Sequence, residues 1–180
     1  MFFNNYIRII LILCLLVSFF SCKDKSETKD KENIEQTQNK STNLDNELKL
    51  DTIQIAELSD EAKNVTKDWM KYIALETEIE RFNDYTVQDL VNNAETILKV
   101  ADSLQQTVPK NLKTNSLEAR IRTLYTHARL LEENAKRNKP KAEDIEDLSV
   151  KLKRDFNNFN IQINEVFIQQ EDSLQTRNQL

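Results

Sequence analysis

The sequence predicts an all-α domain with the architecture of an up-down-up-down four-helix bundle. Three observations predict it: the chain has no glycine, four long segments carry apolar residues at helical spacing, and only a few residues separate these segments. Glycine supplies the positive φ angles of hairpin turns and phosphate-binding loops, and about a dozen would be expected at the usual frequency of roughly 7%. Its absence disfavours β-hairpins and excludes P-loops, GxGxxG turns and GxSxG elbows as these motifs are written.

Composition places the chain among globular proteins of ordinary size. It has 180 residues, of which 39% are hydrophobic and 31% charged, with a formal net charge of −5. This length suits one domain plus targeting and linker segments. The excess of acid argues against a nucleic-acid partner, whose phosphates require a basic patch, and against adsorption to anionic lipid headgroups.

The N-terminus has the pattern of a signal peptide. Arg8 precedes residues 9–20, in which Ser18 is the only polar residue, and the chain turns strongly charged after Cys22. The apolar run is too short to span a bilayer comfortably, which takes about 20 residues. We therefore expect residues 1–21 to be a signal peptide, with an uncleaved signal anchor as the alternative.

The sequence Phe-Phe-Ser-Cys at residues 19–22 resembles the lipobox of bacterial lipoproteins. The resemblance implies cleavage before Cys22, a diacylglycerol on its thiol and acylation of the new amino group, and hence a membrane-anchored protein of the cell envelope, at the periplasmic face or the cell surface. Phe19 replaces the usual leucine, a variation familiar among Bacteroidota. Lys23-Asp24 resembles the start of a surface-export signal in that group, although Lys25 interrupts the acidic run.

Residues 22–57 are expected to form the lipidated cysteine and a flexible polar tether, and residues 58–180 the helical bundle domain. Between residues 23 and 43 the only apolar side chain is Ile34, so this stretch lacks the apolar surface that would offset the entropy of ordering. Residues 44–58 are more mixed, and they are expected to pack onto the domain as an extended arm. Cys14 would leave with the signal peptide, so disulfides and cysteine-ligated metals are not expected in the mature chain.

The first two helices are predicted over residues 59–83 and from Thr86 to about Val108. Ser59 caps the first helix, and Thr86 with Asp89 forms a variant capping box at the second. Pro109 then disfavours a helical residue before it. The apolar stripes are Val65, Trp69, Tyr72, Ile79 and Phe82, and then Leu90, Val91, Ala94, Ile97, Leu98, Ala101 and Leu104.

The third helix is predicted over residues 115–138, with Asn115 and Glu118 as a reciprocal cap and Asn138 as a left-handed stop. The fourth begins at Pro140 and reaches Leu174 or beyond, about 50 Å at 1.5 Å per residue. Its polar end favours projection from the bundle over burial. Their stripes are Leu117, Ile121, Leu124, Ala128, Leu131 and Ala135, and then Ile145, Leu148, Leu152, Phe156, Phe159, Ile163, Val166 and Phe167.

No cofactor or metal site is predicted. His127 is the only histidine, and the Glu-x-x-His pairs of di-iron bundles are absent. A His/Met haem would need Met70 as the second ligand. We expect His127 to be a boundary histidine with a hydrogen-bond partner.

Catalysis is not expected either. The acidic pairs Glu132-Glu133 and Glu143-Asp144 carry no sign of the desolvation that a general acid requires. A Ser-His-Asp triad has no supporting local motif. The aromatic residues of the first and fourth helices are expected to be core, although Trp69, Tyr72 and Phe82 are also of the type that lines a ligand pocket.

Two isoleucines of the fourth helix, Ile161 and Ile168, lie off its main stripe. They either bury against a second helix or mark a partner-binding face. The function expected is therefore a non-enzymatic protein-binding or scaffolding lipoprotein with an envelope protein as partner. The alternative is a bundle that binds a small apolar ligand or haem in the periplasm. The helical domain also resembles small lipoproteins of the same bacterial group, a resemblance that implies no activity.

Overall fold

Among the described residues, the chain folds into five α-helices. The structure, a computed structural model, describes residues 43–50 and 53–178, with side chains up to residue 169. The helices are α1 (Asp60–Thr66), α2 (Met70–Arg81), α3 (Val87–Gln106), α4 (Asn115–Ala135) and α5 (Ala142–Asn178), with a 3₁₀ turn at Lys110–Leu112. These residues form no strand, only an isolated bridge between Glu47 and Thr86. The predicted all-α class is confirmed, whereas the predicted signal peptide, Cys22 and residues 23–42 lie outside the described residues.

Helices that follow one another in the chain pack together. α3 packs on α2 and α4, while α5 packs on α4 and α3 and also contacts α1 and α2. The shared core is apolar, and burying each large side chain contributes roughly 1.5–3 kcal/mol to stability. Its largest fully buried members are Tyr72, Phe82, Phe156, Phe159, Leu50, Leu75, Ile79, Leu90, Ile97, Leu104, Leu112 and Leu117.

The first predicted helix is divided in two, so the prediction of one continuous helix over residues 59–83 is wrong. Ser59 caps α1 as expected, but α1 ends at Thr66, whose hydroxyl donates back to the carbonyl of Ala62 at 3.0 Å. Trp69 then leaves helical geometry, with φ −89° and ψ 83°. This break buries the indole ring and lets its Nε1 donate to Thr107 Oγ1 at 3.0 Å. The N–H of a buried tryptophan usually has a hydrogen-bond partner, and here the partner is Thr107.

The later helix starts follow local chemistry. At α3 the Thr86 and Asp89 side chains form the predicted capping box in full. The predicted cap at α4 is one residue late, because Thr114 rather than Asn115 accepts the N–H of Leu117, at 3.2 Å. A threonine hydroxyl is a good cap, and Thr114 has the extended backbone conformation of an N-cap residue.

The ends of α4 and α5 differ from their predicted positions. α4 ends at Ala135, with Lys136 as its C-cap in right-handed geometry, so Asn138 does not stop it. α5 begins at Ala142, two residues after Pro140, and runs for 37 residues to Asn178. It is therefore about 55 Å long, against about 31 Å for α4. None of the described helices is both long enough and apolar enough to cross a membrane.

Residues 43–50 and 53–58, here called the arm, are packed on the helices as the pattern of residues 44–58 predicted. Leu48, Leu50 and Leu58 belong to the core. The backbone N–H of Leu48 donates to the carbonyl of Tyr85 at 3.2 Å, which ties the arm to the turn before α3. The last part of the segment expected as tether is thus part of the folded domain.

Candidate functional site

Three asparagines of α5 hold the backbone of the arm. Asn157 Oδ1 accepts the N–H of Ala56 at 2.8 Å, and Asn160 Nδ2 donates to the Ala56 carbonyl at 3.0 Å. Asn164 Oδ1 accepts the N–H of Ser59 at 2.9 Å, and its Nδ2 donates to the Glu57 carbonyl at 2.9 Å. Their spacing of three and four residues places all three on one helix face. We call them the asparagine clamp.

The spacing of the clamp matches an extended chain. From residue 157 to residue 164 the helix rises about 10.5 Å, and three residues of extended backbone span about 10 Å. The arm therefore runs alongside α5 in the same direction between Ala56 and Ser59. Because the clamp bonds only main-chain atoms of residues 56–59, these hydrogen bonds do not depend on the side chains of the arm.

Lys153 extends the clamp by one turn and is buried, with 6% of its surface exposed. Its Nζ donates to the Leu50 carbonyl at 3.3 Å and to Asn83 Oδ1 at 2.8 Å. The ammonium of α5 thus bonds both to the arm, at Leu50, and to the turn after α2, at Asn83. Buried charges are normally paired, so two neutral oxygens are an uncommon set of partners.

Tyr72 links the clamp to α2. Its hydroxyl lies 3.0 Å from Glu76 Oε1 and 3.1 Å from Asn160 Oδ1, so its single proton is placed between two acceptors. Burial, together with the nearby Glu76 carboxylate, raises the pKa of Tyr72 well above its ordinary value. The hydroxyl therefore stays protonated in the folded protein and acts as a donor.

A groove of about 560 Å³ lies between the arm, α1 and α2. We call it the arm groove. Its apolar surface comes from side chains such as Ile55 and Ile73, and Tyr72 and Asn160 reach it from the core. The volume is in the range of ligand sites, which run from about 300 to about 1,000 Å³. Its charged lining residues are Glu57, Lys63, Lys67, Glu76 and Glu80.

The two isoleucines selected from the sequence are exposed on α5. Ile161 is 41% and Ile168 58% exposed, and their separation of seven residues places them on one face. At 100° per residue this face borders the asparagine clamp on the side away from the core. Two other large apolar side chains in the described part of the chain, Met70 and Leu130, are exposed elsewhere.

His127 has the hydrogen-bond partner that was expected for a boundary histidine. Its Nδ1 lies 2.5 Å from Asp155 Oδ2, across the contact between α4 and α5. The serine hydroxyls of Ser103 and Ser149 donate to main-chain carbonyls of their own helices, those of Lys99 and Glu146. Within the described ranges, no group of three or more His, Cys, Asp or Glu side chains is placed to hold a metal ion.

The acidic residues considered for proton transfer are mostly in surface ion pairs. Glu132 pairs with Lys136, and Glu133 Oε1 lies 2.9 Å from Arg129 Nε. Asp144 Oδ2 lies 3.4 Å from Arg137 Nη1. Such pairs contribute little to stability, at about 0–1 kcal/mol.

Aromatic side chains of the first and fourth predicted helices, which lie on α2 with its caps and on α5, contact one another. Trp69, Tyr72 and Phe82 are buried, and the ring centroids of Trp69 and Phe159 are 6.0 Å apart. Phe156 lies 5.8 Å from Tyr72. The edge-on and tilted geometry is that of packed core aromatics.

Sequence reasoning missed the asparagine clamp. Asn157, Asn160 and Asn164 carry a visible signal, since they recur at helical spacing on the edge of an apolar stripe. Asparagine is a poor residue for a helix interior, and three at that spacing indicate a tertiary use.

The chain was also compared with known proteins, and no family model, curated protein or solved structure matches it.

Proposed function

We propose that the chain is a membrane-anchored lipoprotein of the cell envelope whose helical domain binds another envelope protein and catalyses no reaction. Lipidated Cys22 would anchor the chain in the membrane, and residues 23–42 would form the tether that separates the domain from the membrane. In this proposal the helices form an up-down-up-down four-helix bundle, with α1 and α2 together as its first helix. The short connections between consecutive helices support that topology.

The observation that carries the binding role is the exposed pair Ile161 and Ile168. Isolated exposed apolar residues are ordinary on protein surfaces. These two, however, share one face of a helix that is about 24 Å longer than α4 by helical rise. A long helix with exposed apolar residues one heptad apart suits docking against another helix or groove.

The test is crosslinking of the epitope-tagged chain in its native cells, followed by mass spectrometry. The Ile161→Glu, Ile168→Glu double variant should lose a specific partner. Met70→Glu with Leu130→Glu is the matched control, since it places the same charges on two exposed apolar positions elsewhere in the described part of the chain. A partner retained by the first variant, or lost equally from both, contradicts docking through this face.

Anchoring is tested separately with Cys22→Ala. The variant should leave the membrane fraction and lose incorporation of labelled palmitate. Retention of the variant in the membrane with the signal segment uncleaved would favour a signal anchor over a lipid anchor.

A further inference from the structure

We propose that the arm groove binds an extended peptide segment that carries both an acidic and a basic side chain, contributed by a partner protein. The proposal rests on the protein-binding function above and names a second surface for it. The groove is lined by Lys63 and Lys67 from the end of α1 and by Glu76 and Glu80 from α2. It therefore presents charges of both signs around an apolar floor.

The first observation is that both charged walls consist of like-charge pairs. Lys63 and Lys67 are four residues apart, as are Glu76 and Glu80. Like charges at this spacing destabilise a helix by about 0.2–0.5 kcal/mol. Glu80 also lies in the last turn of α2, where the helix dipole disfavours an anion, although the lysines suit the end of α1.

Elsewhere on the described helices, five pairs of residues four apart form attractive ion pairs: Glu95 with Lys99, Glu118 with Arg122, Arg129 with Glu133, Glu132 with Lys136, and Asp147 with Lys151. In contrast, none of the described acids lies within 4.0 Å of the Nζ of Lys63 or Lys67. The groove thus concentrates charge that a ligand of mixed sign would neutralise.

The second observation is the free edge of the arm. Both main-chain polar groups of Ala56 are bonded to α5, through Asn157 and Asn160. Successive residues of an extended chain direct these groups to opposite sides. The N–H and carbonyl of Ile55 therefore point away from α5, and they have no partner among the described residues, whereas the Glu57 carbonyl is bonded to Asn164. A peptide running along this edge would pair with both main-chain groups of Ile55, which is recognition by strand addition.

The third observation is that the site is held in place before any ligand arrives. The clamp fixes one side of the arm, and the Tyr72 hydroxyl ties Glu76 and Asn160 together behind it. A preorganised edge lowers the ordering entropy that binding would otherwise have to offset. The extended chain and the charged walls together favour a peptide over a small zwitterion, which would not use the free edge.

The probe is a pooled library of capped octapeptides on a Thr/Val background, with one Lys and one Glu placed at every pair of positions. Binding to the full-length chain is measured by fluorescence anisotropy, and the site by methyl NMR. We expect the best binders to carry both charges and to shift the Ile55 and Ile73 methyl signals while leaving Ile121, on α4, unmoved. A capped Lys-Glu dipeptide should bind at least about tenfold more weakly, the ratio that 1.4 kcal/mol of backbone contacts gives.

Charge reversal supplies the decisive comparison. Lys63→Glu with Lys67→Glu should weaken the selected peptides by about tenfold or more, equivalent to about 1.4 kcal/mol. Lys139→Glu with Lys141→Glu is the matched control, since the same charge is introduced just before α5, about 27 Å along the helix from Asn160. Glu80→Lys is a second variant that favours the dipole at the end of α2, and it should select peptides with Glu alone.

The proposal is overturned if no peptide moves the Ile55 and Ile73 signals, if both lysine double variants weaken binding equally, or if the dipeptide binds as well as the octapeptides. These outcomes are independent of the crosslinking test. Peptide binding without an Ile161/Ile168-dependent partner contradicts only the docking face. A partner that depends on those isoleucines, without peptide binding, contradicts only the groove.

Discussion

Replacing Asn160 by alanine should weaken the attachment of the arm to α5 and destabilise the domain. The side chain is 2% exposed and makes two hydrogen bonds, one to the Ala56 carbonyl and one from the Tyr72 hydroxyl. A typical hydrogen bond contributes about 1 kcal/mol net, and a buried partner left unsatisfied costs about 1–3 kcal/mol. We therefore expect Asn160→Ala to lower the free energy of unfolding by about 2 kcal/mol relative to its control.

The control is Asn158→Ala. Asn158 is two positions away on the same helix, and its side chain has no hydrogen bond within the described part of the chain. Both substitutions gain the same helix propensity, so that contribution cancels in the comparison. Urea unfolding gives the two free energies, and hydrogen exchange at Ala56 N–H reports the arm directly. A difference below about 0.5 kcal/mol, with protection at Ala56 unchanged, would refute the clamp as a stabilising element.

Three further predictions concern the arm and the helix ends. Leu50→Ala should cost about 3 kcal/mol in chemical denaturation, because the side chain is fully buried, and partly buried Leu44 should lose less on the same change. Thr86→Ala should cost about 1 kcal/mol by removing the cap of α3, whereas Thr77→Ala, inside α2, should not lower the melting temperature. Hydrogen bonds from the Thr86 hydroxyl and N–H lower the pKa of Asp89, so its stabilisation is complete above about pH 4 and lost as the pH falls through the lowered value. The difference in urea midpoint between the native chain and Asp89→Asn should accordingly be present near pH 6 and vanish at low pH; a pH-independent difference would contradict the carboxylate's role.

The helices were predictable because their information is local. Apolar spacing locates the buried faces, and the Thr86–Asp89 box marks the start of α3 without reference to any other part of the chain. The break before Trp69 was not predictable in this way. It depends on Thr107, a residue 38 positions later, which accepts the indole N–H.

The candidate site was less accessible to sequence reasoning for the same reason. The sequence left open whether Ile161 and Ile168 bury against a second helix or mark a partner-binding face, and the structure places both side chains at the surface. The clamp joins residues about a hundred positions apart, and its partners in residues 56–59 are main-chain atoms, which leave no mark in the sequence. The arm groove exists only because the clamp holds the arm beside α1 and α2.

Because of Lys153, we expect the arm to separate from the domain at a lower free energy than the helices separate from one another. While the arm is in place, the ammonium is shielded from water and bonded to the Leu50 carbonyl and to Asn83. When the arm lifts, the ammonium regains hydration, which offsets part of the lost contacts, whereas the helix–helix core remains closed. We therefore expect the arm to open at a lower free energy than α3 or α4, with faster amide exchange along residues 53–58 than in either helix. Because the chain enters the domain through this segment, a pull from the N-terminal side acts on the arm before it reaches the helix–helix contacts.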